Sequence, residues 1–248
     1  MKPTSDARVD SLSDDNDKTH MNRFKKIKLI AVDTNGVLLK DTFGITIKRF
    51  IESRGGVYTA ELERLVLGAP HIAGGHIMAL ACKLPWTAQE TIDAFLAEHK
   101  TYTRDDPVVV NPGVGDALAL LHDTGVRITT YGGRPEDSMF AEFLHPFRAY
   151  FDRDIPYVNI DQIRPGMKEI VKERFGYHFD EVLFIDDLGK VGEVCKTLGC
   201  GFIGVPVTDF QRQLMQDAGA AHLVDSLAEV GVELLDRIDN ALFNGRFW

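Results

Sequence analysis

Short apolar runs alternate with segments of helical period along most of the chain. The first run, residues 29–32, is continuous (Leu-Ile-Ala-Val) and is typical of a strand buried on both faces of a parallel sheet. From residue 113 the pattern predicts helix 114–122, strand 126–130, helix 136–144, a weak strand near 157–160, helix 166–175, strand 182–185, helix 190–198, strand 201–205 and helix 210–218, with 221–224 and 227–238 closing the pattern. This alternation predicts an α/β fold with a doubly wound, mostly parallel, Rossmann-like sheet.

Residues 42–106 differ, because they contain helix-period segments and no convincing strand. The segments are 46–54, 59–67, 72–82 and 87–100, and the last begins with a capping box, Thr87 to Glu90. We interpret 42–106 as a small all-helical domain inserted into an α/β core of residues 23–41 and 107–248. Helices that simply cover the sheet are the alternative, and the long absence of strands disfavours it.

Composition narrows the class of protein. A net charge of −9, with 28 basic residues in no dense cluster, disfavours binding to nucleic acid or to an anionic membrane. Three cysteines without metal-like spacing indicate buried thiols, and no apolar run is long enough to cross a bilayer. Residues 1–22 are polar and acidic, so we expect them to be disordered. They have no apolar core typical of a signal peptide or anchor, so we expect the protein to be cytoplasmic.

Polar groups suited to phosphate chemistry follow several predicted strands. Asp33 ends the first strand, Thr130-Tyr131-Gly132 ends the second, and Asp186-Asp187 ends the strand at 182–185. The ligand crevice of such sheets lies at these carboxyl ends. Carboxylates from two strand ends would repel each other without a cation, and Mg²⁺ is the simplest choice. Together with the cations of the 164–168 segment, these groups predict phosphoryl transfer through an aspartyl-phosphate.

These motifs, in this order, resemble those of the haloacid dehalogenase superfamily. The segment Asp-Thr-Asn-Gly-Val-Leu at 33–38 is similar to its first motif, which would make Asp33 the nucleophile. The resemblance implies that Thr130, with Tyr131 and Gly132, binds the transferring phosphoryl group. It also implies that Asp33, the Asn35 carbonyl, Asp186 and Asp187 hold Mg²⁺, and that residues 42–106 form a cap that closes over the substrate.

Two positions depart from the family pattern. Its phosphatases carry a second Asp two residues after the nucleophile as general acid and base, whereas this chain has Asn35. An amide cannot shuttle a proton at neutral pH, and losing such a group costs about 10²–10⁴ in rate. In the third motif, Arg164 stands where Lys is usual, 23 residues before Asp187 (187 − 164), and Lys168 follows one helical turn later. Either cation could neutralise Asp33 and phosphate, and the spacing favours Arg164.

The sequence therefore predicts a Mg²⁺-dependent hydrolase of a small phosphorylated metabolite, with catalytic residues Asp33, Asn35, Thr130, Arg164 and Lys168. A dehalogenase-like hydrolase is a second interpretation, although its metal-free chemistry leaves Asp186 and Asp187 unexplained. A catalytically degenerate binding or regulatory protein is a third, and Asn35 alone argues for it. Phosphonate cleavage would need a cap lysine, which residues 65–75 lack. The sequence does not identify the substrate.

Overall fold

Five parallel strands form a single sheet in the computed structural model, which describes residues 22–246. The strand order is β3-β2-β1-β4-β5. Their bounds are β1 Leu29–Asp33, β2 Arg127–Gly132, β3 Tyr157–Asn159, β4 Val182–Asp186 and β5 Gly201–Gly204. The predicted α/β, mostly parallel fold is confirmed.

Strand β1 lies at the centre of the sheet, where it pairs with β2 on one side and β4 on the other. Val32 is opposite both Thr130 and Ile185, and Asp33 is opposite Tyr131. The chain reverses its direction of winding at β1. The carboxyl end of β1 is therefore the topological switch point at which open α/β sheets bind ligands.

Helices cover both faces of the sheet, which makes the fold doubly wound. Helices α5 (Val114–Asp123) and α9 (Val232–Phe243) pack with Ile30, Val32 and Ile128 on one face, and helices α7 (Gly189–Leu198) and α8 (Asp209–Ala218) pack with Leu29 and Ala31 on the other. The helices are α1 Phe43–Ser53, α2 Ala60–Val66, α3 His71–Ala81, α4 Ala88–Asp105, α5 Val114–Asp123, α6 Glu136–Met139, α7 Gly189–Leu198, α8 Asp209–Ala218 and α9 Val232–Phe243.

Residues 42–106 contain helices α1 to α4 and no strand. Ile47, Phe50, Met78 and Phe95 form a separate apolar cluster in this segment, which we call the helical segment. The predicted capping box is present at the start of α4: the Thr87 side chain accepts from the Glu90 amide, and the Glu90 side chain accepts from the Thr87 amide. The helical secondary structure predicted here is confirmed, and its separate movement stays a prediction.

Three details differ from the predicted elements. Residues 221–224 form no strand, since only Leu223 bridges to Gly204. The predicted helix 136–144 is α-helical only over α6 and widens into a π-helical turn, Phe140–Leu144. Residues 227–238 split into a 3₁₀ turn, Leu227–Glu229, and the first part of α9, because Gly231 interrupts the helix. The remaining helical turns are His145–Tyr150, Glu169–Arg174 and Phe179–Glu181.

The predicted disorder of residues 1–22 falls, apart from Asn22, outside the described residues. Within the described part of the chain, no helix combines the length and the apolar character needed to cross a bilayer.

Candidate active site

The turn after β1 brings Asp33 close to the end of β4. Gly36, three residues after Asp33, has a φ of +102°, a backbone conformation that favours glycine. A Cβ atom at this position would lie 2.3 Å from Oδ2 of Asp187, so only a residue without a side chain fits the turn. The glycine thus lets the first-motif segment pack directly against the carboxylate that follows β4.

Three carboxylates converge at this edge of the sheet. Burial raises the pKa of Asp33 well above its ordinary value, as does the negative charge of Asp186, while Arg164 opposes the shift. Burial likewise raises the pKa of Asp187, with further contributions from Asp33 and Asp186. Burial raises the pKa of Asp186 to about 6. The group therefore carries unfavourable electrostatics that a cation would relieve.

Asp186 is held in place by protein donors on both of its oxygens. The Tyr131 hydroxyl donates to Oδ2 at 2.5 Å, and the Leu188 amide donates to Oδ1 at 2.7 Å. Tyr131 is completely buried, so it orients Asp186 and does not reach a ligand in the pocket. Tyr131 thus makes a structural contact with Asp186, and its predicted contact with the substrate stays a prediction.

The residues of the pocket fit a hard cation, although they do not form a complete cage. Among residues 22–246, no three acidic, histidine or cysteine side chains are arranged to hold a metal by themselves. Asp33, Asn35 and Asp187 line the pocket, and the buried Oδ1 of Asn35 has no hydrogen-bond partner. Mg²⁺ is usually bound by one or two carboxylates together with water and substrate phosphate. Of the four predicted ligands, Asp186 is the one that does not line the pocket.

Arg164 reaches the pocket and Lys168 does not. The Arg164 guanidinium lies against Gly133, where a Cβ atom would come within 2.4 Å of Nη2. Its Nε is buried without a hydrogen-bond partner, and its positive charge opposes the raised pKa of both Asp33 and Asp186. Lys168 is exposed at the start of the following helical turn. Of the two candidate cations, the geometry places Arg164 at the site.

Thr130 lies within β2 and not at its end. Its hydroxyl donates to the Val32 carbonyl at 2.7 Å, and the residue is fully buried. Strand β2 continues to Gly132, so the residues that line the pocket at its end are Gly132 and Gly133. The geometry does not favour the predicted contact between Thr130 and a phosphoryl group.

Arg134 is a pocket residue that the sequence analysis missed. It follows Gly132-Gly133 at the end of β2 and lines the pocket with Arg164. Its guanidinium lies 5.8 Å from the Phe43 ring centroid and 3.9 Å from the Glu142 carboxylate. A cation directly after a Gly-Gly strand end was the available signal. The pocket therefore has two arginines that could bind an anion.

The pocket is a cavity of about 160 Å³ between the sheet edge and the helical segment. Its sheet side is mostly charged or composed of glycine, and its helical side is mostly apolar. The sheet-side residues are Asp33, Asn35, Asp41, Gly132, Gly133, Arg134, Arg164, Asp187 and Leu188. The helical-side residues are Phe43, Ile47, Val66, Leu67, Gly68, Ala69, His71, Gly74, Gly75, Met78, Ile92, Phe95 and Leu96.

Known proteins resemble this chain in sequence and in fold. No family model matches the chain. A phosphorylated carbohydrates phosphatase from Thermotoga maritima is 24% identical over 207 residues, which cover 80% of this chain and 94% of that protein.

Solved structures agree with the fold. A phosphonoacetaldehyde hydrolase-like protein from Oleispira antarctica has a TM-score of 0.66 at 14% identity, covering 92% of this chain and 98% of that one. A putative haloacid dehalogenase-like hydrolase from Bacteroides fragilis has a TM-score of 0.59 at 17% identity, covering 82% and 99%. The chain has the fold of the haloacid dehalogenase-like hydrolases, as its motifs predicted.

Proposed function

We propose that this protein is a Mg²⁺-dependent phosphomonoesterase that acts on a small phosphorylated metabolite through an aspartyl-phosphate. The observation that carries the proposal is the position of Asp33. It ends the central strand and lines the pocket together with Arg164 and Asp187. The hydrolases and the phosphatase among the similar proteins support the same reaction class.

In this mechanism, a carboxylate oxygen of Asp33 attacks phosphorus and forms a mixed anhydride as the alkoxide or phenoxide leaves. Arg164 and Arg134 hold the phosphoryl oxygens and stabilise the charge that develops on them. Asp33, Asn35 and Asp187 would hold Mg²⁺, which supplies positive charge to the phosphoryl group. Asp186, fixed by Tyr131 and Leu188, positions the loop that carries Asp187.

With Asn35 at this position, the mechanism lacks a general acid and base. Its amide can hydrogen-bond the leaving oxygen but cannot deliver a proton to it or take one from the attacking water. We therefore expect slow hydrolysis, with good leaving groups favoured over poor ones.

We also propose that the helical segment is a cap that moves over the pocket. Buried Glu63 of α2 accepts hydrogen bonds from Thr208 and Gln211, both at 2.7 Å, and Arg64 pairs with Glu193 at 2.6 Å. These contacts join the segment to α7 and α8 and would stabilise a closed state. Crystal structures with and without bound phosphate should show residues 42–106 displaced as a unit. A segment that keeps the same position in both would contradict the proposal.

The proposed reaction is tested by phosphate release from an aryl phosphate, with and without Mg²⁺. The unaltered protein should release phosphate only with Mg²⁺, and Asp33→Asn should reduce release to the background of the assay. The matched control is Asp116→Asn, which changes an acidic residue in the first turn of α5, away from the pocket. Release that persists in Asp33→Asn, or its absence from the unaltered protein, would contradict the proposal.

A further inference from the structure

The helical side of the pocket offers almost no group that could bind a hydroxyl. Of the thirteen residues that it contributes, nine are apolar, three are glycine and one is His71. Ile47, Val66, Met78 and Phe95 are buried members of the apolar cluster, and they face the cavity from three different helices and from the end of α2. A ligand that enters this side therefore contacts hydrocarbon on most of its surface.

Few polar side chains border this apolar wall, which is formed by the nine apolar residues of the helical side. These side chains belong to His71, Asp41 and Arg134, whose guanidinium lies 5.8 Å from the Phe43 ring centroid. Nδ1 of His71 lies 3.1 Å from Oδ1 of Asp161, across the gap between α3 and the loop after β3, which is an ion-pair distance without hydrogen-bond geometry. Oδ1 of Asp41 accepts hydrogen bonds from the amides of Phe43 and Gly44, at 2.9 and 3.1 Å, and so caps α1. A polyhydroxylated ligand would need several free partners at this position, because a buried hydroxyl without one is unfavourable.

One glycine of the wall, Gly75, allows close packing between two helices. A Cβ atom on Gly75 would lie 2.5 Å from the Ala88 carbonyl and 2.8 Å from the Ile92 side chain. Gly75 therefore allows α3 to approach the start of α4. Its presence in the lining does not indicate a polar backbone site for the ligand.

We propose that the organic group of the substrate is a compact hydrocarbon group, cyclic or branched, and that a sugar is a poor substrate. This inference rests on the proposed function, which assigns the phosphoryl group to the sheet side of the pocket. The whole cavity, with its sheet side included, has a volume of about 160 Å³, which is near that of a protein cavity of about 150 Å³ known to hold benzene. Because this volume must hold the phosphoryl group as well as the organic group, it limits the organic group to a compact one.

The test compares cyclohexylmethyl phosphate with glucose 6-phosphate. Both are primary alkyl phosphates that carry a six-membered ring, so they differ mainly in the hydroxyl groups and the ring oxygen. We expect kcat/KM to be about 10²-fold higher for cyclohexylmethyl phosphate. Equal values, or a preference for glucose 6-phosphate, would overturn the inference.

A binding measurement separates this inference from the proposed reaction. The phosphonates in which CH₂ replaces the bridging oxygen of each compound cannot be hydrolysed at that position, and calorimetry with the unaltered protein and Mg²⁺ gives their affinities. The hydrocarbon phosphonate should bind about 10²-fold more tightly than the sugar phosphonate. If it does so while neither phosphate ester is hydrolysed, the proposed reaction fails and the inference about the ligand stands. If neither phosphonate binds, or the sugar analogue binds as tightly, the inference is overturned.

A pair of leucine variants tests whether the helical side of the pocket causes the preference for a hydrocarbon ligand. Leu96 lines the pocket from α4 and is 44% exposed, whereas Leu80 of α3 is 71% exposed and lies outside the pocket. Leu96→Asn should reduce the affinity for the hydrocarbon phosphonate by about 10-fold and leave inorganic phosphate binding unchanged. Leu80→Asn, which makes the same change on another exposed helix surface, should alter neither. Equal affinities in the two variants would overturn the assignment of this wall.

Discussion

The two sides of the pocket differ in their chemical character and in the elements that form them. The sheet side places Asp33, Asp187 and Arg164 at strand ends and tight turns, where the backbone fixes their positions. The helical side presents apolar side chains from α1, α3 and α4, which can pack against a ligand of matching shape but offer it almost no hydrogen bonds. The difference is consistent with the proposed function, in which the sheet edge would carry out the reaction and the helical segment would select the substrate. Changes on the sheet side should therefore alter rate and metal binding, whereas changes on the helical side should alter selectivity or stability.

Among the variants that keep Asp33, the largest effect is expected for Arg164. Arg164→Gln removes a charge that faces Asp33 and the phosphoryl oxygens, so kcat/KM for an aryl phosphate should fall by about 10²–10³-fold. Lys168→Gln removes a cation from the same segment but from an exposed position, and its kcat/KM should change less than about threefold. The reverse ranking of the two variants, measured by steady-state kinetics, would give the third-motif role to Lys168.

Asn35→Asp should raise turnover. A carboxyl group at this position can protonate the leaving oxygen and activate water, and such a group contributes on the order of 10²-fold or more. The gain should be larger for an alkyl phosphate than for an aryl phosphate, because a phenoxide leaves without a proton. Steady-state rates for both substrates provide the measurement. An unchanged or lower rate with both would show that Asn35 has another role, and would favour a binding or regulatory protein.

The carboxylates of the sheet edge should couple Mg²⁺ binding to stability. In the proposed site, Mg²⁺ would bind the native state and relieve the repulsion between Asp33 and Asp187, so it should raise the melting temperature as the site becomes saturated. At about 100 times the dissociation constant the gain is about 2.7 kcal/mol. Asp187→Ala should abolish the shift in a thermal melt titrated with Mg²⁺. A melt of the unaltered protein that does not respond to millimolar Mg²⁺ would argue for metal-free chemistry.

The smallest effect is expected in the helical segment, at His99. The Oγ1 of Thr42 and Nε2 of His99 are 3.0 Å apart, and the His99 ring stacks on Phe43. Burial lowers the pKa of His99 below its ordinary 6.5, and the charge of Arg134 lowers it further. The unfolded chain then binds the proton more readily than the folded one. His99 therefore contributes stability above about pH 6.5, and this contribution decreases as the pH falls from there towards its folded pKa.

Chemical denaturation at about pH 7.5 and about pH 5.5 measures this effect. His99→Gln should reduce the loss of unfolding free energy between the two pH values. His76→Gln, on an exposed position of α3, is the matched control and should leave the loss unchanged. The same pH dependence in His99→Gln as in the unaltered protein would contradict the account.

The sequence was sufficient to locate Asp33, because a buried apolar run that ends in a carboxylate marks the ligand edge of a parallel sheet. The sequence separation from Asp187 also favoured Arg164 over Lys168 as the cation of the third motif. Thr130 was different: the stretch Thr-Thr-Tyr-Gly-Gly has no hydrophobic step that shows where the strand stops. Strand β2 continues to Gly132 and leaves the Thr130 hydroxyl bonded to β1.

The apolar wall could not be predicted from the helical period. Residues such as Ile92, Phe95 and Met78 have the spacing of an ordinary core face. Periodicity shows which side of a helix is apolar, but only the packing of α1, α3 and α4 determines whether that side faces another helix or a cavity. For Arg134 the sequence offered a partial signal, a cation directly after Gly132-Gly133, but its approach to the pocket also depends on the path of the loop after β2.

The most direct test of the central claim is to identify the phosphorylated residue during turnover. The protein is mixed with an aryl phosphate and Mg²⁺, quenched in acid within the first turnover, digested and analysed by mass spectrometry. We expect a phosphoryl group on the carboxylate of Asp33, and more of it than in Asn35→Asp, because Asn35 cannot activate the water that cleaves the anhydride. Phosphate release without phosphorylated Asp33, or a phosphoryl group on another side chain, would contradict the account.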